Sequence, residues 1–202
     1  GGRLDATNVI DADISVVTTI GLDHCEQLGD TIDTIALEKA SIFKKNKIAI
    51  CGMEPAPNQL KEYANTVGVA RFVQLGQDFK MNTHQDDWSY EGQNTIDQLP
   101  YPHLSLDLAA TAICVSEYLP LAISSQQIAQ AIAKTRLAGR FECWQQPVPI
   151  IFDVAHNPAA ARYLLQQLQK AQQVPVLAVV AINENKDMQG ILSSLLSAVK
   201  QW

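Results

Sequence analysis

The loop that follows the first apolar run of the sequence contains Leu22-Asp23-His24, and His24 is a candidate metal ligand. A neutral imidazole nitrogen binds divalent metals readily. Loops at the carboxyl ends of parallel strands are also where open α/β sheets bind ligands. The alternative is a surface histidine without a role. The loop by itself leaves both interpretations open.

Glu38 and Lys39 are charged neighbours within an otherwise apolar helical segment. Ile35, Ala36 and Ala40 surround them, so one or both polar side chains are expected to point inward at a site. A buried lysine tends to lose its proton, which makes its amine nucleophilic. A neutral amine can also take up carbon dioxide to become a carbamate, an anionic metal ligand. The alternative is two solvated side chains on the polar face of the helix.

A strand-to-helix junction is predicted at residues 153–158, with the sequence Asp-Val-Ala-His-Asn-Pro. Asp153 lies where a carboxylate accepts hydrogen bonds from ribose hydroxyls. His156 precedes a helix N-terminus, which favours anionic phosphate. Asn157 as N-cap and Pro158 at the first helical position form a strong helix start. A purely structural cap would explain Asn157 and Pro158, but it would leave Asp153 and His156 without a role.

A loop between two predicted α/β units contains Gly139-Arg140. An arginine in such a loop can place its guanidinium on phosphates, although Gly-Arg pairs are common. The sequence has no G-x-x-x-x-G-K-[ST] phosphate-binding loop. It also has no G-x-G-x-x-G fingerprint after a strand, which argues against a dinucleotide dehydrogenase.

The composition excludes several classes of protein. A net charge of −6 and a pI near 5.1 argue against a binder of nucleic-acid phosphates. The four cysteines are too far apart for a zinc or redox pair, which is typical of reduced thiols in a cytoplasmic enzyme. No apolar run approaches the length that spans a bilayer. Both termini are expected to be cuts through a larger protein, because the chain opens in what looks like a loop without an initiator Met.

The elements that position these residues alternate between strands and helices, which predicts an α/β fold with a parallel sheet. Strands are predicted at 13–20, 47–51 and 70–75, and helices at 31–43 and 57–67. Residues 77–102 break the pattern, and a small hairpin-like excursion is predicted around 87–91. Helices are then expected at 106–118 and 124–135, the second with Ser124 and Gln127 as a capping box.

A second α/β unit is predicted after a boundary near residues 141–147, which divides the chain into 1–142 and 143–202. Its strands are expected at 149–154 and 174–182, and its helices at 157–170 and 187–199. The strand–helix rhythm restarts there, which is typical of a new domain.

Taken in order, these motifs resemble folylpolyglutamate synthase and its bifunctional form with dihydrofolate synthase activity, within the Mur ligase family. The opening Gly-Gly-Arg-Leu-Asp-Ala-Thr-Asn is nearly diagnostic of the folate branch. The motifs follow in the family's order and at compatible spacing, so the resemblance covers essentially the whole chain. They are Leu22-Asp23-His24, Glu38-Lys39-Ala40, Gly139-Arg140-Phe141, 153–158 and Lys186-Asp187, the remainder of the family's Asp-Lys-Asp.

The resemblance implies a P-loop-type Mur ligase central domain over part of its length, followed by the start of a Rossmann-like C-terminal domain. It implies an ATP-dependent ligase that adds L-glutamate to dihydropteroate or folate through an acyl phosphate, with Mg2+ neutralising developing charge. The partners would be these small molecules, with no nucleic acid or membrane, and the protein would be a monomer.

The resemblance also assigns roles to individual residues. His24 and a carbamylated Lys39 would be catalytic ligands of a magnesium ion, and Leu4, Asp5 and Ala6 would contact dihydropteroate. ATP would be bound by three residues of the later motifs, with Arg140 on the phosphates across the domain gap, Asp153 on the ribose and His156 beside the nucleotide.

Two positions depart from the family pattern. Leu108 replaces an asparagine that contacts ATP, so that contact is lost or moved, for example to Asp107, and Ala138 replaces a proline. The phosphate-binding loop and a metal-binding glutamate are expected upstream of Gly1, so this fragment alone is expected to be inactive. The alternatives are a Mur ligase that makes a peptidoglycan precursor and a non-catalytic relative that keeps the fold as a binding module.

Overall fold

The computed structural model describes residues 2–22, 28–145 and 147–202, and it divides into two units, Gly1–Thr135 and Arg136–Trp202. The division lies earlier than the boundary predicted after residue 142. The shift arises because the loop around Gly139 is tied to the second unit: the backbone N–H of Val154 donates to the carbonyl of Gly139 at 2.9 Å.

A parallel sheet of three strands forms the first layer of unit 1, and the predicted strands of this region are confirmed. Its strands are β1 (Ile14–Val17), β2 (Ile48–Cys51) and β3 (Arg71–Gln74), in that spatial order. The helices α1 (Ile32–Ala40) and α2 (Asn58–Val67) connect them. Parallel neighbouring strands require such crossover helices, because the C-terminus of one strand and the N-terminus of the next lie at opposite ends of the sheet.

Helix α1 begins at the N-cap Thr31, which forms a capping box with Thr34. The predicted apolar stripe is confirmed at Ile35, Ala36 and Ala40, all of which are buried. Ala36 and Ala40 pack in a core with Val17, Cys51 and residues of α2. The packing of this core fixes how α1, the helix that carries Lys39, is oriented against the sheet.

An antiparallel sheet of three strands follows, where only a small hairpin was predicted. Its strands are β4 (Lys80–Thr83), β5 (Trp88–Glu91) and β6 (Thr95–Leu99), in that order. Trp88 and Tyr90 are completely buried in a core that also contains Ile50 and Val73. The excursion is therefore a layer of the core.

Two helices complete unit 1, namely α3 (Leu106–Glu117) and α4 (Ser125–Lys134). The predicted capping box of α4 is confirmed. The backbone N–H of Gln127 donates to Oγ of Ser124 at 3.2 Å, and the backbone N–H of Ser124 donates to Oε1 of Gln127 at 2.9 Å. These bonds satisfy donors that the first turn of a helix leaves unpaired.

Unit 2 begins with an antiparallel pair, β7 (Glu142–Trp144) and β8 (Ile150–Phe152). Helix α5 (Pro158–Lys170) follows, and α6 (Met188–Leu195) packs with it around buried Ala161 and Ile191. A parallel pair, β9 (Val176–Leu177) and β10 (Val199–Gln201), completes the unit.

Two predictions for unit 2 were wrong in extent. The strand predicted at 174–182 is limited to β9, because the residues after it find no strand partner among those described; Val179 is fully exposed. The helix predicted to reach residue 199 ends at Leu195, and Val199 instead starts β10 beside Val176. Within the described residues, no helix is long and apolar enough to cross a membrane.

Candidate functional site

The loop after β1 contains the first predicted metal ligand. The structure describes this loop as far as Leu22, which is exposed. Asp23 and His24 lie outside the described residues, so the role of His24 stays a prediction. β1 ends at Val17 on the parallel sheet, which agrees with the predicted position of the loop beyond a strand end.

Lys39 lies in the last turn of α1 and is half-buried. Among the residues that the structure describes, none forms a hydrogen bond or an ion pair with its Nζ. Its neighbour Glu38 does not pair with it either. Lys39 is thus a half-buried residue whose amine has no partner in the described part of the chain, which suits an amine that must remain available for chemistry.

The Glu38 carboxylate is directed toward the start of the chain. Oε1 accepts a 3.0 Å hydrogen bond from the backbone N–H of Arg3, and Oε2 lies 3.8 Å from Nε of the Arg3 guanidinium. Gly2 is buried against the same glutamate: a Cβ added there would lie 3.1 Å from Glu38 Cγ and 3.1 Å from its carbonyl oxygen. The opening segment is therefore fixed to the helix that carries Lys39.

The opening segment turns back on itself after Arg3. The backbone N–H of Asp5 donates to the carbonyl of Gly2 at 3.0 Å, and Ala6–Val9 form a short 3-10 helix. Leu4 is left 85% exposed at this turn. The structure thus places the predicted dihydropteroate contacts, Leu4, Asp5 and Ala6, on a segment held by the neighbour of Lys39.

Asn8 closes this segment. Its Nδ2 donates to the carbonyl of Arg3 at 3.0 Å, and Nζ of Lys44 donates to the carbonyl of Asn8 at 3.4 Å. Oδ1 of Asn8 is buried and has no hydrogen-bond partner among the described residues. A buried acceptor without a donor costs free energy, so this oxygen is a place where a donor would be stabilised.

The second predicted centre lies where β8 ends. Oδ2 of Asp153 accepts from the backbone N–H of Phe141 at 2.9 Å, and Oδ1 accepts from the backbone N–H of Ala155 at 2.8 Å. A carboxylate with both oxygens held in this way has a fixed orientation. Each oxygen also keeps acceptor capacity for a further donor.

The loop of Arg140 is shaped by its flanking residues. Gly139 and Phe141 adopt positive φ values of 67° and 46°. Glu142 accepts from the backbone N–H of Gly139 at 2.9 Å, and this bond, followed by one from Trp144, holds the pKa of Glu142 below its usual range. The Arg140 side chain is exposed on this fixed loop.

Arg140 and Asp153 lie in the same unit, which corrects part of the sequence interpretation. Arg140 was predicted to end the first unit and to reach a nucleotide across a domain gap. The structure instead joins its loop to the end of β8 through Phe141 and Val154. These two residues alone therefore give no reason to expect ATP between two domains.

His156 and Asn157 start helix α5. Oδ1 of Asn157 accepts from the backbone N–H of Ala160 at 2.8 Å, and Pro158 is the first helical residue, so the predicted cap is confirmed. Nδ1 of the exposed His156 lies 2.9 Å from the carbonyl of Val154. Because a carbonyl only accepts hydrogen bonds, Nδ1 carries the proton in this contact.

The first turn of α3 contains Leu108, which replaces the asparagine of the family pattern, and Asp107, to which the ATP contact could have moved. Leu108 is 38% exposed and lines an apolar cavity of about 290 Å³ between α3 and α4. Burial, followed by the nearby negative charge of Glu54, raises the pKa of Asp107. The leucine thus faces an apolar space, and the aspartate next to it is the polar group of this turn.

Two acidic residues with clear structural roles were not predicted. Glu117 accepts hydrogen bonds from the turn between β5 and β6, and Glu142 fixes the Arg140 loop. No sequence signal indicated them: the partners of Glu117 lie 23 and 27 positions away, and the bond from Gly139 to Glu142, although it spans only three positions, follows no known motif. Asp187, the surviving end of the family's Asp-Lys-Asp, caps α6 by accepting from the backbone N–H of Gly190 at 2.8 Å.

The described residues do not form a complete metal centre. Among them, no group of three or more His, Cys, Asp and Glu side chains is arranged to hold a metal ion. Lys39 fits the predicted ligand role in one respect: it is half-buried and its amine has no partner among the described residues, and a carbamate on that amine would offer oxygen, the donor that Mg2+ prefers.

Comparisons with known proteins agree with this arrangement. Residues 139–202 match the family described as Mur ligase, glutamate ligase domain. The chain is 38% identical over 204 residues to a dihydrofolate synthase/folylpolyglutamate synthase of Escherichia coli, which covers 100% of this chain and 48% of that protein. The corresponding Haemophilus influenzae protein is 31% identical, with coverages of 100% and 51%.

Solved structures match over the same extent. A structure of E. coli FolC in complex with DHPP and ADP is 38% identical with a TM-score of 0.94, covering 100% of this chain and 49% of that one. A bifunctional folylpolyglutamate synthase/dihydrofolate synthase of Yersinia pestis complexed with AMPPNP and Mn ion is 37% identical with a TM-score of 0.92, at coverages of 100% and 49%.

The fold and these matches indicate the class of protein that this chain resembles: residues 139–202 match the glutamate ligase domain of the Mur ligases. Within that class, the whole chain is similar to part of the dihydrofolate synthases/folylpolyglutamate synthases. The chain spans about half the length of the relatives that it matches, as the coverage of 48% for the E. coli protein shows.

Proposed function

We propose that this chain is part of an ATP-dependent ligase that joins L-glutamate to dihydropteroate, to folate polyglutamates, or to both. ATP phosphorylates the carboxylate of the acceptor, and the amine of glutamate attacks the resulting acyl phosphate. The tetrahedral adduct then collapses to an amide and inorganic phosphate. The substrates are small molecules, so the site needs few, well-placed polar groups.

The observation that supports this proposal most strongly is the likeness of the whole chain to a FolC structure in complex with DHPP and ADP, at a TM-score of 0.94. Both units take part in that likeness, since it covers 100% of this chain. The match to the glutamate ligase domain, taken alone, would support the proposed function only for residues 139–202.

In unit 1, the acceptor would contact the opening segment. Leu4 offers an exposed apolar side chain for a flat aromatic ring, and Asp5 and Ala6 follow it on the same turn. Lys39 lies on the helix to which this segment is fixed. The reacting carboxylate of the acceptor would thus be held near the predicted metal ligand.

In unit 2, the nucleotide would contact the loop and the strand end that Asp153 joins. The exposed Arg140 guanidinium is suited to phosphate oxygens because its planar fork donates two parallel hydrogen bonds. Asp153, with its orientation fixed by two backbone donors, would accept from ribose hydroxyls. His156, beside the N-terminus of α5, would lie near the nucleotide.

Magnesium would supply charge neutralisation during phosphoryl transfer. His24 and a carbamylated Lys39 are the residues of this chain that we propose as its ligands. Holding the amine of Lys39 away from carboxylates would keep it available for carbon dioxide, and the described residues offer it no such partner.

The test is an assay of glutamate-dependent phosphate release by a protein that contains this chain at the full length of its relatives. We expect release with dihydropteroate or a folate as acceptor, and none without glutamate. Turnover only with a UDP-muramoyl acceptor would identify a peptidoglycan-precursor ligase instead. Nucleotide binding without turnover on either acceptor would indicate a non-catalytic relative.

A further inference from the structure

Glu38 contacts the opening segment with its carboxylate and directly precedes Lys39 on α1. The contact with the backbone N–H of Arg3 spans 35 positions of the sequence. The Glu38 side chain is 23% exposed, whereas the Arg3 side chain is 67% exposed. The less exposed Glu38 side chain is therefore the anchor of this contact, and the opening segment is attached to it.

The backbone hydrogen bond is the main part of this contact. A carboxylate that accepts from a backbone N–H forms a charge-assisted bond, and the distance here, 3.0 Å, is that of an ordinary N–H···O hydrogen bond. The guanidinium lies farther away at 3.8 Å and is mostly in water, where an ion pair contributes little. Loss of the Glu38 carboxylate should therefore matter more than loss of the Arg3 side chain.

The close approach of Gly2 supports the same conclusion. A Cβ on Gly2 would lie 3.1 Å from both Cγ and the carbonyl oxygen of Glu38, and 3.2 Å from Oε1. Such contacts are tighter than ordinary van der Waals packing. The absence of a side chain at residue 2 thus allows the backbone to lie directly against α1.

We propose that Glu38 is a positioning residue for the acceptor, a pterin-bearing carboxylate. It would hold Leu4, Asp5 and Ala6 at a set distance from Lys39, so that an acceptor bound on the segment presents its carboxylate to the metal side of α1. This inference rests on the proposed function. It assigns Glu38 no contact with ATP and no part in the chemistry itself.

The test compares Michaelis constants in the full-length protein. Glu38→Ala should raise the KM for dihydropteroate by about tenfold, the loss expected for one charge-assisted hydrogen bond. The KM values for ATP and glutamate should stay within about twofold. Glu38→Gln should recover most of the loss, because its amide oxygen still accepts from the Arg3 N–H. Arg3→Ala should have a smaller effect than Glu38→Ala.

The matched control is Glu62→Ala, a glutamate on the exposed side of α2, which should leave all three constants unchanged. If Glu38→Ala does not fold, Gly2→Ala is the second variant, since it pushes the segment away while α1 keeps its sequence. It should raise the same KM selectively. Equal changes in all three constants, or no rescue by Glu38→Gln, would overturn the positioning role.

Hydrogen exchange of the same full-length proteins separates this inference from the function on which it rests. Glu38→Ala should speed exchange of the Arg3 and Asp5 amides, while amides of β2 keep their protection. If those rates do not change, Glu38 does not hold the segment. If they do change but the unsubstituted protein turns over no folate acceptor, the proposed function fails, and the segment contact stands.

Discussion

Oδ2 of Asp153 accepts a 2.9 Å hydrogen bond from the backbone N–H of Phe141, 12 positions earlier in the chain. The other carboxylate oxygen accepts from the backbone N–H of Ala155 at 2.8 Å. One side chain thus joins the loop of Arg140 to the end of β8. A change at Asp153 should for this reason alter both the stability of unit 2 and the placement of Arg140.

Asp153→Ala leaves two backbone donors without their acceptor, so it should lower the free energy of unfolding by about 1–3 kcal/mol. Asp153→Asn should cost less, because its single oxygen still accepts one bond while its NH2 group accepts none. Both variants should raise the KM for ATP more than they lower kcat. Urea unfolding and ATP titration of the initial rate measure the two effects. An unchanged KM for ATP in Asp153→Asn would refute the nucleotide role.

Parts of the molecule were predictable because their pattern is local. β1 and β2 are short apolar runs, as expected for strands buried on both faces. The caps of α4 and α5 follow from residue types within one turn. The hydrogen bond from Phe141 to Asp153 joins residues 12 positions apart and follows no local pattern. The sequence therefore identified Asp153 as a candidate site residue but did not identify Phe141 as its structural partner.

Lys39→Arg tests the proposed carbamate, because a guanidinium keeps the positive charge but does not take up carbon dioxide. We expect kcat to fall at least about a hundredfold, since even the partners of metal ligands contribute 10–100-fold. Lys45→Arg, at an exposed position, is the control and should leave kcat unchanged. Intact-protein mass in bicarbonate should show the added group only in proteins that keep Lys39. Full activity of Lys39→Arg would rule the carbamate out.

His24→Ala should lower turnover far more than it weakens ATP binding. A metal ligand acts mainly where charge develops, which is the transition state. We expect kcat to fall by more than about tenfold, with the KM for ATP changed less than about twofold. His84→Ala, in the exposed loop between β4 and β5, serves as the control. A rate within about twofold of the original, or ~0.4 kcal/mol, would contradict the metal role.

The antiparallel layer of unit 1 was largely missed, and its residues explain why. β4 reads Lys-Met-Asn-Thr, with only Met81 as an apolar member, so it lacks a visible alternation. β5 buries Trp88, Ser89 and Tyr90 in succession. The sequence predicts that Glu38, Lys39 or both point inward at a site, but it does not predict the contact of Glu38 with Arg3, because no periodicity relates the two positions.

Glu117 should be a major contributor to the stability of this layer. Its carboxylate accepts from the Tyr90 hydroxyl at 2.8 Å and from the backbone N–H groups of Gln93 and Asn94 at 3.2 and 2.7 Å. Burial, followed by the bond to Glu117, raises the pKa of Tyr90 above its usual range, so the hydroxyl stays a donor.

Glu117→Ala should therefore lower the free energy of unfolding by about 2–3 kcal/mol, and Glu117→Gln by less. Asp97→Ala, on the exposed side of β6, should stay within about 0.5 kcal/mol. Urea titration monitored by tryptophan fluorescence reports on the layer through buried Trp88. A Glu117→Ala protein as stable as the Asp97→Ala control would show that the hydrogen bonds contribute nothing net.

Asp107 should make stability depend on pH in a defined direction. Burial, followed by the negative charge of Glu54, raises the pKa of Asp107 in the folded chain. The folded state therefore holds this proton more tightly than the unfolded state, whose aspartates titrate near ~3.9. As pH rises through the interval between the two pKa values, the folded state is penalised for ionising Asp107, and stability falls relative to a chain without this group.

Asp107→Asn removes that penalty, so its free energy of unfolding relative to the unsubstituted chain should rise with pH. The relative gain should vanish well below the unfolded pKa of about 3.9, where the carboxyl is protonated in both states, and should be complete above the folded pKa. Glu54→Gln should lower the Asp107 pKa and give a smaller change in the same direction, because burial is the larger cause. Urea titrations of the three chains at several pH values measure this difference. A difference between Asp107→Asn and the unsubstituted chain that stays constant across that range, or falls with rising pH, would show that the Asp107 pKa is not raised on folding.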